Sequence, residues 1–345
     1  MSDRIPQRPP EIKPVPPDVD RPLWSVMIPA YNCSRYLIEN IQSVLAQDPG
    51  PRKMQIEVVD DCSTDADVES IVRRFGNGRV SYYRQSENVG SLRNFETCIN
   101  RAKGQFIHLL HGDDKVLIGF YEEIEMLFLS YPEAGAAFTG FTFIDEENIR
   151  LYDNHALLPA PGLLNNWLHD IARSQLIQPP AIVVRRSVYE KLGSFYAVHY
   201  GEDWEMWVRI AANFPVAHSP RILALYRVHQ NNITGRYFLS GQSITDVLKV
   251  LDLIQNFLPP GERAAAKRYT KKNLSHYFAY TSDKIYHVSG EPYIALEQSK
   301  RAMYMHFNHI TFTHWLKMRI KILLGYKMER DKKWIYKPID FFRKN

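Results

Sequence analysis

No run in this chain reaches the ~18–20 uninterrupted apolar residues that a membrane-crossing helix needs, and its first residues lack the apolar core of a secretory leader. A cytoplasmic address is the expectation. Cysteine is scarce: Cys33, Cys62 and Cys98 form no CxxC pair and no even disulfide framework, as in chains kept in a reducing compartment. Neither a GxGxxG turn nor a P-loop occurs, which argues against a dinucleotide-binding oxidoreductase or a nucleotidyltransferase. A basic body is missing too. Of the net charge of +5, residues 312–345 carry ten Lys/Arg against three Asp/Glu, so that segment is +7 and the rest −2. Nucleic acid is therefore not an expected partner, because its binders line the domain itself with cations.

What is present is enough to build a large core. Of 345 residues, 45% are hydrophobic and 23% charged, which suits one large catalytic domain plus an appendage. Residues 1–22 hold seven prolines, which remove backbone donors and predict a disordered tail. Apolar runs at 24–28, 56–59, 80–83, 106–110 and 136–143 alternate with amphipathic stretches, the pattern of a mostly parallel sheet flanked by helices. Leu37, Ile38, Ile41, Val44 and Leu45 form one helix face. Further helices are expected at 67–75, with Ser63, Thr64 and Asp65 as capping residues, and at 90–102, near 162–173 and from Asp203. Short strands are expected at 181–184 and 222–226. Beyond residue 238 the periodicity is helical only, giving domains at 1–22, 23–238 and 239–345.

In open α/β sheets, ligands sit beyond the carboxyl ends of the strands, and polar clusters fall there. Pro29-Ala30-Tyr31-Asn32 ends the first strand, where it can face a nucleotide or serve as an ordinary strand-to-helix turn. Asp60 and Asp61 end the second, where carboxylates can accept from a base imide and a ribose hydroxyl. His111-Gly112-Asp113-Asp114 ends the fourth. Two carboxylates there can hold Mg²⁺ or Mn²⁺ against a diphosphate, with Gly112 permitting close backbone approach. Glu202-Asp203 opens a helix, so Asp203 can take a proton from an acceptor hydroxyl or cap that helix. Arg227 can pair with phosphate and His229 can ligate the metal, or both can be ordinary surface groups.

In this order and spacing the clusters resemble the family 2 glycosyltransferases. The likeness runs from Ser25-Val26-Met27-Ile28-Pro29-Ala30-Tyr31-Asn32 through Val58-Val59-Asp60-Asp61, Asn88-Val89-Gly90, Arg93-Asn94 and Gly104-Gln105-Phe106-Ile107. It continues through Asp113-Asp114 and Glu202-Asp203 to Tyr226-Arg227-Val228-His229. The resemblance implies a GT-A (Rossmann-like) α/β fold. It also implies an inverting transfer from a nucleoside-diphosphate sugar, a UDP-sugar favoured, to a hydroxyl of a saccharide or lipid-linked acceptor in cell-surface polysaccharide synthesis. Pro29, Tyr31 and Asn32 would flank the nucleotide, Asp61 contact the base with Asp60 in support, and Arg93 lie near the diphosphate. Asp113 would hold the metal and Asp203 act as base beside Glu202. The first aspartate of the family's DxD element is His111 here. That departure motivates an alternative, a catalytically silent nucleotide-sugar-binding scaffold of a polysaccharide assembly complex.

Residues 240–306 predict three helices, two of them a hairpin turning at Ser289-Gly290-Glu291-Pro292. They can cover the acceptor cleft or pair with a second subunit. The tail interleaves Trp315, Leu316, Ile320, Ile322, Leu323 and Tyr326 with Lys317, Arg319, Lys321 and Lys327, so it can lie on the inner face of a membrane or pack on the domain.

Overall fold

The computed structural model describes residues 4–229, 237, 240–288 and 291–326. Strand β1 (Trp24–Ala30) is buried along its whole length and lies between β2 (Met54–Asp60) and β4 (Phe106–Leu109), both parallel to it. With β3 (Ser81–Arg84) beyond β2, the strand order β3-β2-β1-β4 reverses direction beside β1. This is the switch point at which open sheets leave a crevice. Past β4 the parallel pattern gives way. Strand β9 (Ile182–Arg185) runs antiparallel to both β4 and β6 (Ala136–Ile144), while β10 (Val216–Arg227) runs parallel to β6. Short strands β5 (Lys115–Val116), β7 (Arg150–Asp153) and β8 (Gly162–Leu163) pair antiparallel at the margins. The sheet is thus parallel in its first half and mixed in its second.

Alternation along β1 distributes side chains to two cores. Trp24, Val26, Ile28 and Ala30 join Leu37, Ile41 and Val44 of α1 (Ser34–Leu45) with α2 (Val68–Phe75) and α4 (Phe120–Ser130). Met27, with Val59 and Ile107 of the neighbouring strands, faces α3 (Ser91–Arg101), α5 (Trp167–Arg173), α6 (Arg186–Leu192) and α7 (Glu202–Ala211). The last sheet strand starts earlier than its apolar run suggests. Pro220 cannot donate to the ladder, and β10 passes it through register shifts between Ser219 and Ala224.

Two expectations are corrected. Residues 4–22 form no helix or strand, yet they are not a free tail: Ile12 is 1% exposed, and the carbonyls of Pro6, Pro10 and Lys13 accept from Ala197 N, Ser194 N and Arg186 Nη2. Proline removes donors but leaves every carbonyl, so this segment is held as an acceptor. The helical region after residue 238 is also more than an appendage. Ile244, Val247, Val250, Leu251 and Ile254 of α8 (Gln242–Ile254) pack in the same core as Trp204 and Trp207. Helices α9 (Pro260–Val288), α10 (Pro292–Met305) and α11 (His309–Leu323) follow. Residues 289–290 of the expected hairpin turn and 327–345 of the basic tail lie outside the described residues. Among the described residues no helix is long and apolar enough to cross a membrane.

Candidate active site

The carboxyl ends of β1 and β2 are laced together. Asn32 adopts a left-handed conformation (φ 49°), tolerated by Asn where a turn demands it. Its backbone N–H donates to Ser63 Oγ (3.0 Å) and its Oδ1 accepts from Thr64 N (2.8 Å). Asp65 accepts from Ser34 N (2.9 Å) at the start of α1. Ser63, Thr64 and Asp65 therefore serve the neighbouring turn, and α2 is capped by Asp67, which accepts from Ser70 N (3.1 Å). Pro29 does not end β1 but lies within it, its carbonyl accepting from Gly112 N (3.1 Å). Tyr31 is 40% exposed at the rim.

Asp60 and Asp61 are buried and heavily bonded. Asp60 accepts from Ser63 N (2.9 Å), Tyr82 Oη (2.8 Å) and Arg84 Nη1. Asp61 accepts from Asn88 Nδ2 (2.8 Å), Val89 N (2.7 Å) and Gly90 N (2.9 Å). Burial raises the Asp61 carboxyl to about 6, against the pull of those backbone donors. A carboxylate offers about four acceptor positions, and three of those on Asp61 are taken by the protein. Arg4 donates to Asn88, so the amino-terminal segment braces the same loop.

The β4 end is built differently. Asn40, 0% exposed on α1, donates to the carbonyls of His111 (2.8 Å) and Asp114 (2.9 Å) and so fixes the curve of the 111–114 loop. A Cβ on Gly112 would stand 2.7 Å from Cys33 Sγ and 3.3 Å from the Pro29 carbonyl, so a larger residue there would force the Cys33 side chain to move. Ligand atoms of His111, Asp113 and Asp114 all lie within 4.8 Å of one another. Asp114 Oδ1 accepts from Arg227 N (2.8 Å), but its buried Oδ2 has no hydrogen-bond partner. Burial, then the Asp113 charge, push Asp114 well above the usual carboxylate range. Burial also works to raise Asp113, but His229 Nε2, 3.0 Å from Asp113 Oδ2, outweighs it and the group sits below its ordinary value. Burial holds His111 below the ordinary imidazole value, hence neutral and able to ligate. Two carboxylates, one orphaned oxygen and a neutral imidazole fit a divalent cation.

Arg227 departs from its expected role. Its side chain is 1% exposed, and it donates to the carbonyls of Asp113 (2.8 Å) and Asp145 (3.0 Å), to Glu39 (3.1 Å) and to Asn148 (2.9 Å). Consumed in this way, the guanidinium secures the Asp113 backbone and is not presented to a phosphate. Arg93 donates to Glu96 Oε2 (2.7 Å) on its own helix and is 27% exposed.

Across from this loop, α7 starts at Gly201, whose φ of 89° supplies the entry turn without a side-chain cap. Asp203 is therefore inside the helix and is not the N-cap. Its Oδ2 accepts from Gln175 Nε2 (2.7 Å). Burial raises Asp203 to about 6, opposed by the N–H of Trp204 and by Gln175. Burial and the Asp203 charge push Glu202 well above its ordinary value. His111 stacks on Phe95 (5.0 Å, 16°) and, with Glu202, Asp203 and Trp207, lines a cavity of about 10 Å³. That is room for one water. A sugar ring does not fit within it, but it shows that the imidazole beside Asp113 and the carboxyl of Asp203 face one space.

Residues 25–193 match the family model described as glycosyl transferase family 2, so that segment is a glycosyltransferase domain of that family, and the structure has the GT-A fold. Asp203 and His229 lie beyond the matched segment. A Bacillus subtilis protein whose name places it among teichuronic acid biosynthesis glycosyltransferases is 25% identical over 220 residues, 62% of this chain and 82% of that one. Staphylococcus aureus TarS 1–349 in complex with UDP-GlcNAc superposes with a TM-score of 0.62 at 16% identity, over 89% of this chain and 93% of that one. A Pyrobaculum calidifontis mannosyltransferase in complex with GDP-Man and Mn²⁺ gives 0.51 at 16% identity, over 93% and 85%.

Four positions escape the sequence reading. Asn40 has a signal, a polar residue on the apolar stripe of α1. Phe95 occupies a helix face that reads as plain core. Cys33 is a lone thiol whose Sγ lies against the Gly112 turn. Gln175 lies between the helix expected near 162–173 and the strand expected at 181–184 and has no local signature at all.

Proposed function

We propose that this glycosyltransferase is inverting, taking its sugar from a nucleoside-diphosphate donor, a UDP-sugar favoured, and passing it to a hydroxyl of a saccharide or lipid-linked acceptor in cell-surface polysaccharide synthesis. The donor preference is supported by the UDP-GlcNAc complex of TarS, and the pathway class by the name of the Bacillus relative. Asp113 and Asp114, with His111 beside them, would hold Mg²⁺ or Mn²⁺. The cation, when bound, would offset the charge of the departing diphosphate.

The observation that carries the reading is Asp203. It does not cap its helix, it is fixed by Gln175, and it faces the same space as His111. Held up to about 6 by burial, it is ionised near neutral pH yet basic enough to draw the proton from an attacking hydroxyl. Glu202 stands beside it, its carboxyl pushed well above the ordinary value first by burial and then by the Asp203 charge. With base and leaving group on opposite sides of the sugar, a single displacement inverts the anomeric centre.

Asp203→Asn tests this. Donor-induced thermal stabilisation should survive, while transfer falls by roughly 10²–10⁴-fold; undiminished transfer would remove Asp203 from the chemistry. In the wild type, transfer should rise with pH through about 6 and drop about tenfold per unit below it, since a carboxyl raised to about 6 is protonated there. A rate independent of pH between 5 and 7 would exclude this base. The scaffold alternative draws on His111 stacked against Phe95 in place of a carboxylate. It predicts donor binding with no turnover under either metal.

A further inference from the structure

Helix α11 carries two apolar faces. At 100° per residue, Thr311, Trp315, Met318 and Ile322 point inward, where Met318 is 1% exposed and packs with Ile285 and Ala295. On the solvent side, next to the inward face, Phe312, Leu316, Ile320 and Leu323 share one stripe, with exposures of 39, 41, 48 and 84%. Leu324, 73% exposed, extends it at the carboxyl end, and Phe307, 72% exposed and 6.1 Å from the Phe312 ring, extends it at the other. Arg319 borders the stripe on one side and Lys317 on the other, and 309–326 contain no Asp or Glu. A contiguous exposed apolar ridge marks an interaction surface.

We infer that this ridge is a membrane-docking surface, which seats α11 in the plane of an anionic lipid interface with Arg319 and Lys317 at headgroup level. The charge pattern selects the occupant. Pairing the ridge with a second copy of itself would bring Lys317 and Arg319 of the two chains together, with no Asp or Glu in 309–326 to offset them, whereas an anionic leaflet attracts them. The apolar stripe supplies insertion and its cationic borders supply surface attraction, the combination that interfacial helices use. An enzyme so placed would meet acceptors presented on lipid. The docking surface stands independently of the chemistry proposed for Asp203.

The test is co-sedimentation of the full-length protein with vesicles of equimolar phosphatidylcholine and phosphatidylglycerol, beside vesicles of phosphatidylcholine alone. The wild type should bind the anionic vesicles, release from them in high salt, and bind the neutral ones weakly. Leu316→Glu/Ile320→Glu should lose at least about tenfold in partitioning, and Lys317→Ala/Arg319→Ala roughly fivefold per cation. Circular dichroism melts check that both variants stay folded, as expected for exposed positions. Wild-type binding by the Leu316→Glu/Ile320→Glu variant would overturn the inference by assigning attraction to the basic tail alone. A concentration-dependent dimer that this variant dissolves would assign the ridge to a second copy instead.

Discussion

Two Asp-Asp pairs end two neighbouring strands of the same sheet, and the molecule treats them in opposite ways. At the end of β2, Asp60 and Asp61 accept six hydrogen bonds from the protein between them. At the end of β4, Asp114 keeps a buried oxygen with no partner and Asp113 leans on His229, with the His111 imidazole close by. The first pair is closed by the fold, as a structural element. The second is left incomplete, and an incomplete buried carboxylate costs stability unless something outside the chain completes it. A dipeptide therefore does not define a cation site; the donors around it do.

The sharpest way to break this comparison is Asp113→Asn. Without metal its thermal midpoint should stay near that of the wild type, while Mn²⁺-dependent stabilisation disappears and transfer falls by about 10²–10³-fold. An intact Mn²⁺ response by differential scanning fluorimetry would show that the β4 pair is not the cation site. Next in size, Asp61→Asn should act on folding, since an amide cannot accept from three donors at once. A loss of about 1–3 kcal/mol in urea unfolding is expected, and an unchanged midpoint would mean that its bonds are replaced by water. Smallest is His111→Asp. An anionic oxygen in place of a neutral imidazole should favour the harder ion, narrowing a Mn²⁺ over Mg²⁺ preference by up to about tenfold. Identical metal ratios in the two proteins, measured by titration of donor hydrolysis, would place His111 outside the cation's shell.

Legibility followed the range of the interaction. The strands β1, β2, β4 and β6 and helices α1 and α7 appear in the sequence with ends within a few positions of those observed, because each is written as a local apolar period. The site clusters at 29–32, 60–61, 111–114 and 202–203 were legible because they follow those strands or open that helix. Roles were harder. Arg227 carries the sequence mark of a phosphate ligand, yet its partners Asp113, Asp145, Glu39 and Asn148 come from three separate stretches, and only folding brings them to it. Asp203 carries the mark of a helix cap, and the left-handed Gly201 before it takes that position. The proline-rich segment has the composition of disorder, but its carbonyls find donors on elements more than 170 residues away, as Lys13 does at Arg186.

By itself, then, the sequence determined the periodic elements, the side of the sheet on which acids collect and the family of residues 25–193, since these depend on neighbours within a turn or a strand. Which carboxylates are satisfied and which are left open, which arginine is spent on the backbone, and that His111 and Asp203 look into one space were decided only in three dimensions. Hydrogen bonding and desolvation are set by whatever packs within a few ångströms, and chain order says little about which residues those are.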